Sequence, residues 1–312
     1  MSKKIFVTGG AGFIGSHLVQ RLVNEGHKVV VADILLRGNK INPETFRKIQ
    51  FHQADVRDSA AMLELSKGCD LIYHFAAVLG VDVVADNPVE TMDTEIIGMR
   101  NICHAALTNG IKKIMYASTS GIYGHSAIDQ TVTETINVDP RTSYAIAKRY
   151  NEIYLAAMYQ EKGLESISVR FFNIYGPGQD ERMVIPRFLE QARKNKPITV
   201  YGTGEQTRDF TYIDDTIEAC MLLTEKIKGS EIYNIANEHE ISIRDLAEKI
   251  VALSASKSPI QFLESPSKRY DYEVGRRWGS SEKLFGITGF KPGIGLEEGL
   301  NYVLNSPLKR VV

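Results

Sequence analysis

The sequence lacks the features that mark several large classes of protein. Its 312 residues include only three cysteines, Cys69, Cys103 and Cys220, which are far apart and lack metal-ligand spacing, so we expect neither a disulfide framework nor a metal site. No apolar run is long enough to span a bilayer, and the first strand follows Met1 so closely that no signal peptide is expected. These absences predict a cytoplasmic protein without a membrane partner.

The chain also has no marked excess of positive or negative charge. The formal net charge is −1, and Lys and Arg are scattered along the chain, which argues against nucleic acid as a partner. The chain contains no internal repeat or low-complexity tract. With 43% hydrophobic residues, it can bury a large core. The composition therefore indicates an ordinary globular protein.

What the sequence does contain is a glycine-rich turn after its first strand. Residues 6–15 read FVTGGAGFIG, and the three spaced glycines allow the backbone to turn tightly and to approach a pyrophosphate. The helix that follows would present free N–H groups and its positive dipole end to the phosphates. The segment therefore predicts a dinucleotide site. Its expected cofactor residues are Gly9, Gly12, Phe13, Ile14 and Gly15.

The next strand, residues 27–33, ends in a carboxylate. Asp33 can accept both hydroxyls of an adenosine ribose and would repel a 2′-phosphate, so it favours NAD over NADP. Arg37 argues the other way, because an arginine just past this strand could bind a 2′-phosphate. A generic glycine turn is the alternative interpretation, but the order of strand, glycines, helix, strand and Asp favours the dinucleotide site.

Strand-like and helix-like segments alternate through the first 172 residues, the pattern of βαβ units on a parallel sheet. We predict an α/β fold, with a doubly wound parallel Rossmann sheet and a smaller C-terminal α/β lobe for substrate. The cofactor domain would comprise residues 1–172 and 209–239, and the lobe residues 173–208 and 240–312. Predicted strands lie near 4–8, 28–33, 49–54, 70–75, 111–117 and 165–171, and predicted helices near 13–26, 58–67, 88–109 and 143–162.

Two residues with acid–base potential stand near the start of a predicted helix. Tyr144 and Lys148 are four positions apart and would share one helix face. A nearby ammonium group and a nicotinamide cation would both favour phenolate, drawing the tyrosine pKa toward working pH. Alone, this spacing is more typical of a surface tyrosine and a solvated lysine. Thr119 favours the catalytic interpretation, because its hydroxyl, at the end of the fifth strand, could hydrogen-bond a reacting oxygen.

These motifs run in one order along nearly the whole chain. In that order the sequence resembles the extended short-chain dehydrogenase/reductase family, specifically its NAD-dependent nucleotide-sugar epimerases and dehydratases. The segments that carry the resemblance are 8–15, 55–58, 74–77, 119, 123–124, 144 with 148, 170–177 and 208–215.

The resemblance implies that Tyr144 is the catalytic base, Lys148 its partner and Thr119 the third member of the site. It also implies NAD as the cofactor, a nucleotide-diphosphate sugar as the substrate, and a homodimer paired through the helices near 88–109 and 143–162. Further cofactor contacts are expected from Asp55 and Val56 at the adenine, and from Ala76, Ala77, Tyr144 and Lys148. Substrate contacts are expected from Val81, Thr119, Asn173, Arg187, Arg208 and Arg269, with Asn173 and Arg208 on the diphosphate.

Within the family we predict an epimerase that acts at C4 through a transient 4-keto intermediate. In dehydratases and decarboxylases the threonine resembling Thr119 is commonly followed by a small or acidic residue and then Glu, whereas Ser120 and Gly121 follow here. The obvious carboxyl group for elimination or decarboxylation is therefore missing. A 4,6-dehydratase, a decarboxylase and a keto-sugar reductase remain alternatives, as does a regulator that binds NAD without catalysis.

Overall fold

The structure is a computed structural model that describes residues 2–77, 84, 86–127, 130–264 and 275–306. Two predicted substrate residues, Val81 and Arg269, lie outside the described residues. None of the helices in these ranges combines the length and the apolar character needed to cross a bilayer. The three cysteines are buried and free of disulfides.

The central element is a seven-stranded parallel sheet. Within the described residues the strands are β1 (Lys4–Thr8), β2 (Lys28–Asp33), β3 (Gln50–Gln53), β4 (Leu71–His74), β5 (Lys113–Thr119), β6 (Glu165–Phe171), β7 (Ile174–Tyr175), β8 (Ile198–Tyr201), β9 (Thr207–Asp209), β10 (Thr211–Tyr212), β11 (Ser230–Ile235), β12 (Glu240–Ser242) and β13 (Ile260–Leu263). The central sheet has the order β3-β2-β1-β4-β5-β6-β11. This order reverses direction between β1 and β4, where a doubly wound sheet opens its ligand crevice. The predicted Rossmann fold is confirmed.

Helices cover both faces of this sheet. The helices of the described residues are α1 (Phe13–Asn24), α2 (Pro43–Phe46), α3 (Ser59–Leu65), α4 (Pro88–Asn109), α5 (Ser143–Lys162), α6 (Val184–Arg193), α7 (Ile213–Lys226), α8 (Ile243–Leu253), α9 (Glu282–Thr288) and α10 (Leu296–Asn305). Successive residues of β1 face opposite sides: Phe6 packs in the core beneath α3, α4 and α5, while Val7 packs in the core beneath α1 and α7. Burial on both faces explains why the central strands are apolar throughout.

Local signals set the two helices that flank the site. Pro88 opens α4, and Gly110, with a φ of 72°, closes it. The Thr142 side chain caps α5 by accepting the N–H of Ala145 at 3.0 Å. The strand predicted at 111–117 was placed two residues too early, because the N–H of Ile111 bonds the Ala106 carbonyl at 2.8 Å and belongs to the end of α4. The correction makes Thr119 the last residue of β5.

The later part of the chain adds three small two-stranded sheets, which pair β7 with β10, β8 with β13 and β9 with β12. Its helices α6 and α8 contribute Phe188 and Leu246 to the same core cluster that lies beneath α1. These later segments are therefore packed against the central sheet through a continuous apolar core. That packing fixes their side chains relative to the crevice.

Candidate active site

The turn between β1 and α1 leaves no room for side chains. Gly9 has a φ of +70°, and a Cβ atom there would lie 2.5 Å from the backbone nitrogen of Ala76. A Cβ atom on Gly15 would lie 2.1 Å from the carbonyl oxygen of Gly9. Both distances are far below contact, so only glycine fits at these positions. The backbone is consequently exposed where a pyrophosphate would lie.

The N-terminus of α1 is suited to an anion. Gly12, the residue before the helix, has no side chain that could accept the N–H groups of the first turn. Those groups and the positive end of the helix dipole therefore favour a negatively charged ligand. Phe13 and Ile14 are partly buried and pack against the core, which holds this end of the helix beside the sheet.

Asp33 ends β2 next to the glycine turn. Its carboxylate accepts the N–H of Ala11 at 3.0 Å and the N–H of Leu35 at 2.8 Å. Burial raises the pKa of Asp33, while these backbone N–H groups favour its ionised form. The carboxylate is thus held at the point where the ribose of a dinucleotide is expected.

The other predicted cofactor residues lie at the ends of β3 and β4. Asp55 is engaged by Arg57, with 2.6 Å between Nη2 and Oδ2, and this hydrogen bonding lowers the pKa of Asp55. Val56 is buried. Ala76 and Ala77 follow β4 and are partly buried. A cradle without side chains, a helix N-terminus and a terminal carboxylate together fit NAD, and these residues would hold its pyrophosphate, ribose and adenine.

Lys148 lies on α5 one turn after Tyr144 and joins that helix to the end of β5. Its Nζ atom donates to the carbonyl oxygen of Ala117 at 2.8 Å and lies 5.3 Å from the centre of the Tyr144 ring. The same Nζ atom lies 3.1 Å from Oε2 of Glu95, with the two side chains 1% and 0% exposed. Tyr144, Lys148 and the end of β5, which carries Thr119, are therefore brought together at the carboxyl edge of the sheet.

Burial and one carboxylate dominate the electrostatics of this cluster. Burial raises the pKa of the Tyr144 phenol, and the Glu95 carboxylate raises it further. Burial lowers the pKa of Lys148, whereas Glu95 favours its charged form. Burial is the larger cause of the raised Tyr144 pKa, and the Glu95 carboxylate, which pairs with Lys148, adds to it.

Thr119 has its hydroxyl oxygen in a defined position. Its Oγ1 atom accepts the N–H of Gly121 at 3.0 Å, which leaves the hydroxyl proton for another acceptor. A Cβ atom on Gly121 would lie 3.3 Å from this Oγ1 atom, so a side chain at position 121 would project beside the threonine. Ser118 is different, because its hydroxyl donates to the buried Glu152 at 2.7 Å and has a structural role.

Two of the predicted substrate residues lie near each other, because Asn173 bonds the residue that follows Arg208. The Asn173 side chain donates to the Asp209 carbonyl at 2.9 Å, and Arg208 donates to the carbonyl of Thr207 at 2.7 Å. The Asp209 carboxylate itself accepts backbone N–H groups of residues 237 and 238, both at 3.1 Å. Asn173 and Arg208 are thereby held on one framework.

Arg187 lies in a different setting, against β8. Its guanidinium group lies 5.0 Å from the centre of the Tyr201 ring, and Nη2 is 3.5 Å from the Thr199 carbonyl oxygen. Within the described ranges, no group of three or more His, Cys, Asp or Glu side chains could hold a metal ion.

Sequence reasoning missed Glu95. This residue belongs to the buried stripe of α4, together with Thr91, Gly98, Met99 and Ile102. A carboxylate at an otherwise apolar helical position is rare unless it is paired. Its place in the apolar stripe could therefore have indicated a buried ion pair. Its partner could not be inferred from the stripe alone.

The parallel sheet and its glycine turn define the α/β proteins that bind a dinucleotide, and Tyr144 and Lys148 lie together at the carboxyl edge of that sheet. Residues 5–236 match the NAD dependent epimerase/dehydratase family, and the chain belongs to that family. The predicted family and the predicted NAD cofactor are confirmed.

Individual relatives catalyse different reactions. The chain is 38% identical to the UDP-N-acetyl-alpha-D-glucosaminuronate decarboxylase of Bacillus cytotoxicus, over 96% of each protein. It is 34% identical to the putative UDP-glucose 4-epimerase of Methanocaldococcus jannaschii, over 96% of this chain and 97% of the relative. The structure of the UDP-glucose 4-epimerase of Thermotoga maritima with UDP-glucose matches with a TM-score of 0.90 and 30% identity, over 96% of this chain and 97% of the other. The chain therefore belongs to a family that includes both decarboxylases and epimerases of nucleotide sugars.

Proposed function

We propose that the protein is a C4 epimerase of nucleoside-diphosphate sugars. The observation that carries the proposal is Gly121, which lacks a side chain where a Cβ atom would point to within 3.3 Å of Thr119 Oγ1. A carboxyl group carried from this position would lie beside the reacting part of the sugar and could drive elimination or loss of carbon dioxide. Its absence favours oxidation and reduction at one carbon without a further bond being broken.

In the proposed reaction the phenolate oxygen of Tyr144 takes the proton of the C4 hydroxyl and later returns it. Thr119 donates its hydroxyl proton to the same sugar oxygen, and the buried Lys148 lies beside the Tyr144 ring. NAD, when bound, supplies the hydride chemistry at C4. No cofactor is consumed overall, so tight retention of NAD is expected.

Asn173 and Arg208 would bind the diphosphate, for which a guanidinium group is well suited. A diphosphate anchor remote from C4 leaves the sugar ring free to turn and to present its other face. This remote binding energy is available to orient the reacting centre. Arg187, beside Tyr201, would border the nucleotide.

Decarboxylation is the second candidate, because the relative that is 38% identical over the full length is named as a decarboxylase. That reaction would require a substrate with a sugar carboxylate and another acid–base group in place of a side chain at Gly121.

Three further proposals accompany this function. They are the division into two domains, a cytoplasmic location and a homodimer paired through α4 and α5.

The test is proton NMR of the purified protein with UDP-, GDP-, dTDP- and CDP-sugars, including UDP-sugar acids, without added cofactor. A stereoisomer of equal mass is the expected product. Release of carbon dioxide, or a 4-keto-6-deoxy product, would overturn the epimerase proposal and the argument from Gly121. Conversion only with a stoichiometric reductant would instead indicate a keto-sugar reductase.

A further inference from the structure

A buried carboxylate lies behind the acid–base pair. Oε2 of Glu95 is 3.1 Å from Lys148 Nζ and also accepts the Tyr116 hydroxyl at 3.1 Å. Among the described residues, Oε1 of Glu95 has no hydrogen-bond partner. Because Glu95 is on α4 and Lys148 on α5, the ion pair joins two helices beneath the site.

The titratable groups around this pair come from four elements. On β4, His74 stays neutral, because burial and the charge of Lys148 lower its pKa to about 3. On β5, burial and the charge of Glu95 raise the pKa of Tyr116, which keeps that phenol neutral as well. On α5, Tyr144 and Glu152 face the pair, and Glu152 is held by Arg170 of β6 at 2.8 Å. Among the described residues, two carboxylates therefore face Lys148. Glu152 is paired with Arg170, whereas Glu95 is paired with Lys148 itself.

We propose that Glu95 is a positioning residue that acts on Tyr144 through Lys148. It fixes the ammonium group between α4 and α5 and offsets its charge, so that Tyr144 keeps its proton until a further positive charge enters the site. The inference rests on Tyr144 and Lys148 being the acid–base pair of the proposed function. It makes Glu95 the residue that couples the base strength of Tyr144 to the charge of the bound cofactor.

The physical basis is the neutrality of the pair. A lone ammonium group within a few ångströms lowers a phenol pKa by about 1–3 pH units, whereas an ion pair of zero net charge does so only weakly. Glu95→Gln removes the negative charge but retains an oxygen that can accept from Lys148. The Ala117 carbonyl, which accepts from Lys148 at 2.8 Å, also remains to hold the ammonium group.

The experiment is carbon-13 NMR of the protein labelled at the tyrosine Cζ atom, with saturating NAD and across a range of pH. Tyr144→Phe identifies the Tyr144 signal by its loss. We expect the Tyr144 titration midpoint to fall by about 1–3 pH units in Glu95→Gln. Glu90→Gln is the matched control, because Glu90 is exposed on the same helix. The Tyr144 midpoint in this variant should equal that of the wild type.

An unchanged or raised midpoint in Glu95→Gln would overturn the inference, and so would the absence of titration wherever the variant remains folded. If Glu95→Gln does not fold, Glu95→Asn carries the same expectation. The measurement requires no turnover. It can therefore fail in an active epimerase, or succeed in a protein that converts none of the sugars, so its outcome is separate from that of the proposed function.

Discussion

Arg37 Nη1 lies 3.2 Å from Asp180 Oδ2, although 143 residues separate the two in the sequence. The contact joins the loop after β2 to the segment after β7. Arg37 is the group that could bind a 2′-phosphate, and here it faces the Asp180 carboxylate. Asp180 would therefore compete with such a phosphate for the guanidinium group.

Asp180→Asn should raise the affinity for NADP relative to NAD. A hydrogen bond to a charged group contributes about 1.5–3 kcal/mol, so an increase of roughly 10- to 100-fold in relative affinity is expected. Calorimetric titration of cofactor-stripped protein with each dinucleotide measures it. Arg182→Gln is the control, because Arg182 also pairs with Asp180 but leaves the Arg37 contact in place. Equal NADP affinity in wild type and Asp180→Asn would exclude this role for Arg37.

Tyr144→Phe should reduce turnover by about 10²–10⁴-fold, the usual contribution of a positioned acid–base group, while the amount of NAD bound per chain stays unchanged. Product formation followed by NMR and cofactor released on denaturation measure the two quantities. Tyr150→Phe, on the same helix and 41% exposed, is the matched control and should be fully active. Retention of most of the activity by Tyr144→Phe would mean that another group removes the proton.

Asp209 should make stability depend on pH. Burial raises its pKa to about 7 in the folded protein, above the value of about 4 for an unfolded Asp. The folded state then binds more protons between these values, so stability falls as pH rises from about 4 to about 7 and levels off above. Measured against Asp209→Asn, the free energy of unfolding should fall by up to about 4 kcal/mol over this pH range. Urea titrations at several pH values measure it, and a pH-independent difference would contradict the assignment.

Ile153→Asp should dissociate the proposed homodimer. Ile153 is on α5 and is 55% exposed in a single chain, so a charge there would be buried between paired helices at a high cost. Phe285→Asp is the control, because Phe285 is 48% exposed on α9, away from α4 and α5. Sedimentation equilibrium measures the mass. A monomeric wild type would refute the predicted pairing.

The parts of the molecule that short-range signals determine were predictable. The bounds of α4 and α5 follow from a proline, a threonine cap and two glycines, and the glycine turn identified β1, α1 and the cofactor. The start of β5 was placed too early because the backbone N–H of Ile111 bonds to the end of the preceding helix. No residue type in the sequence predicts that bond. The roles assigned to Thr119, Asn173 and Arg208 stay predictions.

Contacts between distant segments were not predictable. The Glu95–Lys148 and Arg37–Asp180 pairs depend on where the sheet places helices and loops that are far apart in sequence. Asp209 is similar, because its carboxylate is satisfied by backbone N–H groups of residues 237 and 238, and backbone groups leave no mark in the sequence. The electrostatics of the site are therefore a property of the fold.

The position of β11 has a consequence for synthesis of the protein. This strand pairs with β6 through the register Ser230 to Ser166, so the ribosome must make all of residues 172–229 after β6 before the sheet gains its last strand. Until then β6 presents an open edge to other nascent chains, the usual starting point of aggregation. A message truncated before the codon for Ser230 should yield an insoluble product, even though it encodes the entire glycine turn and the Tyr–Lys pair.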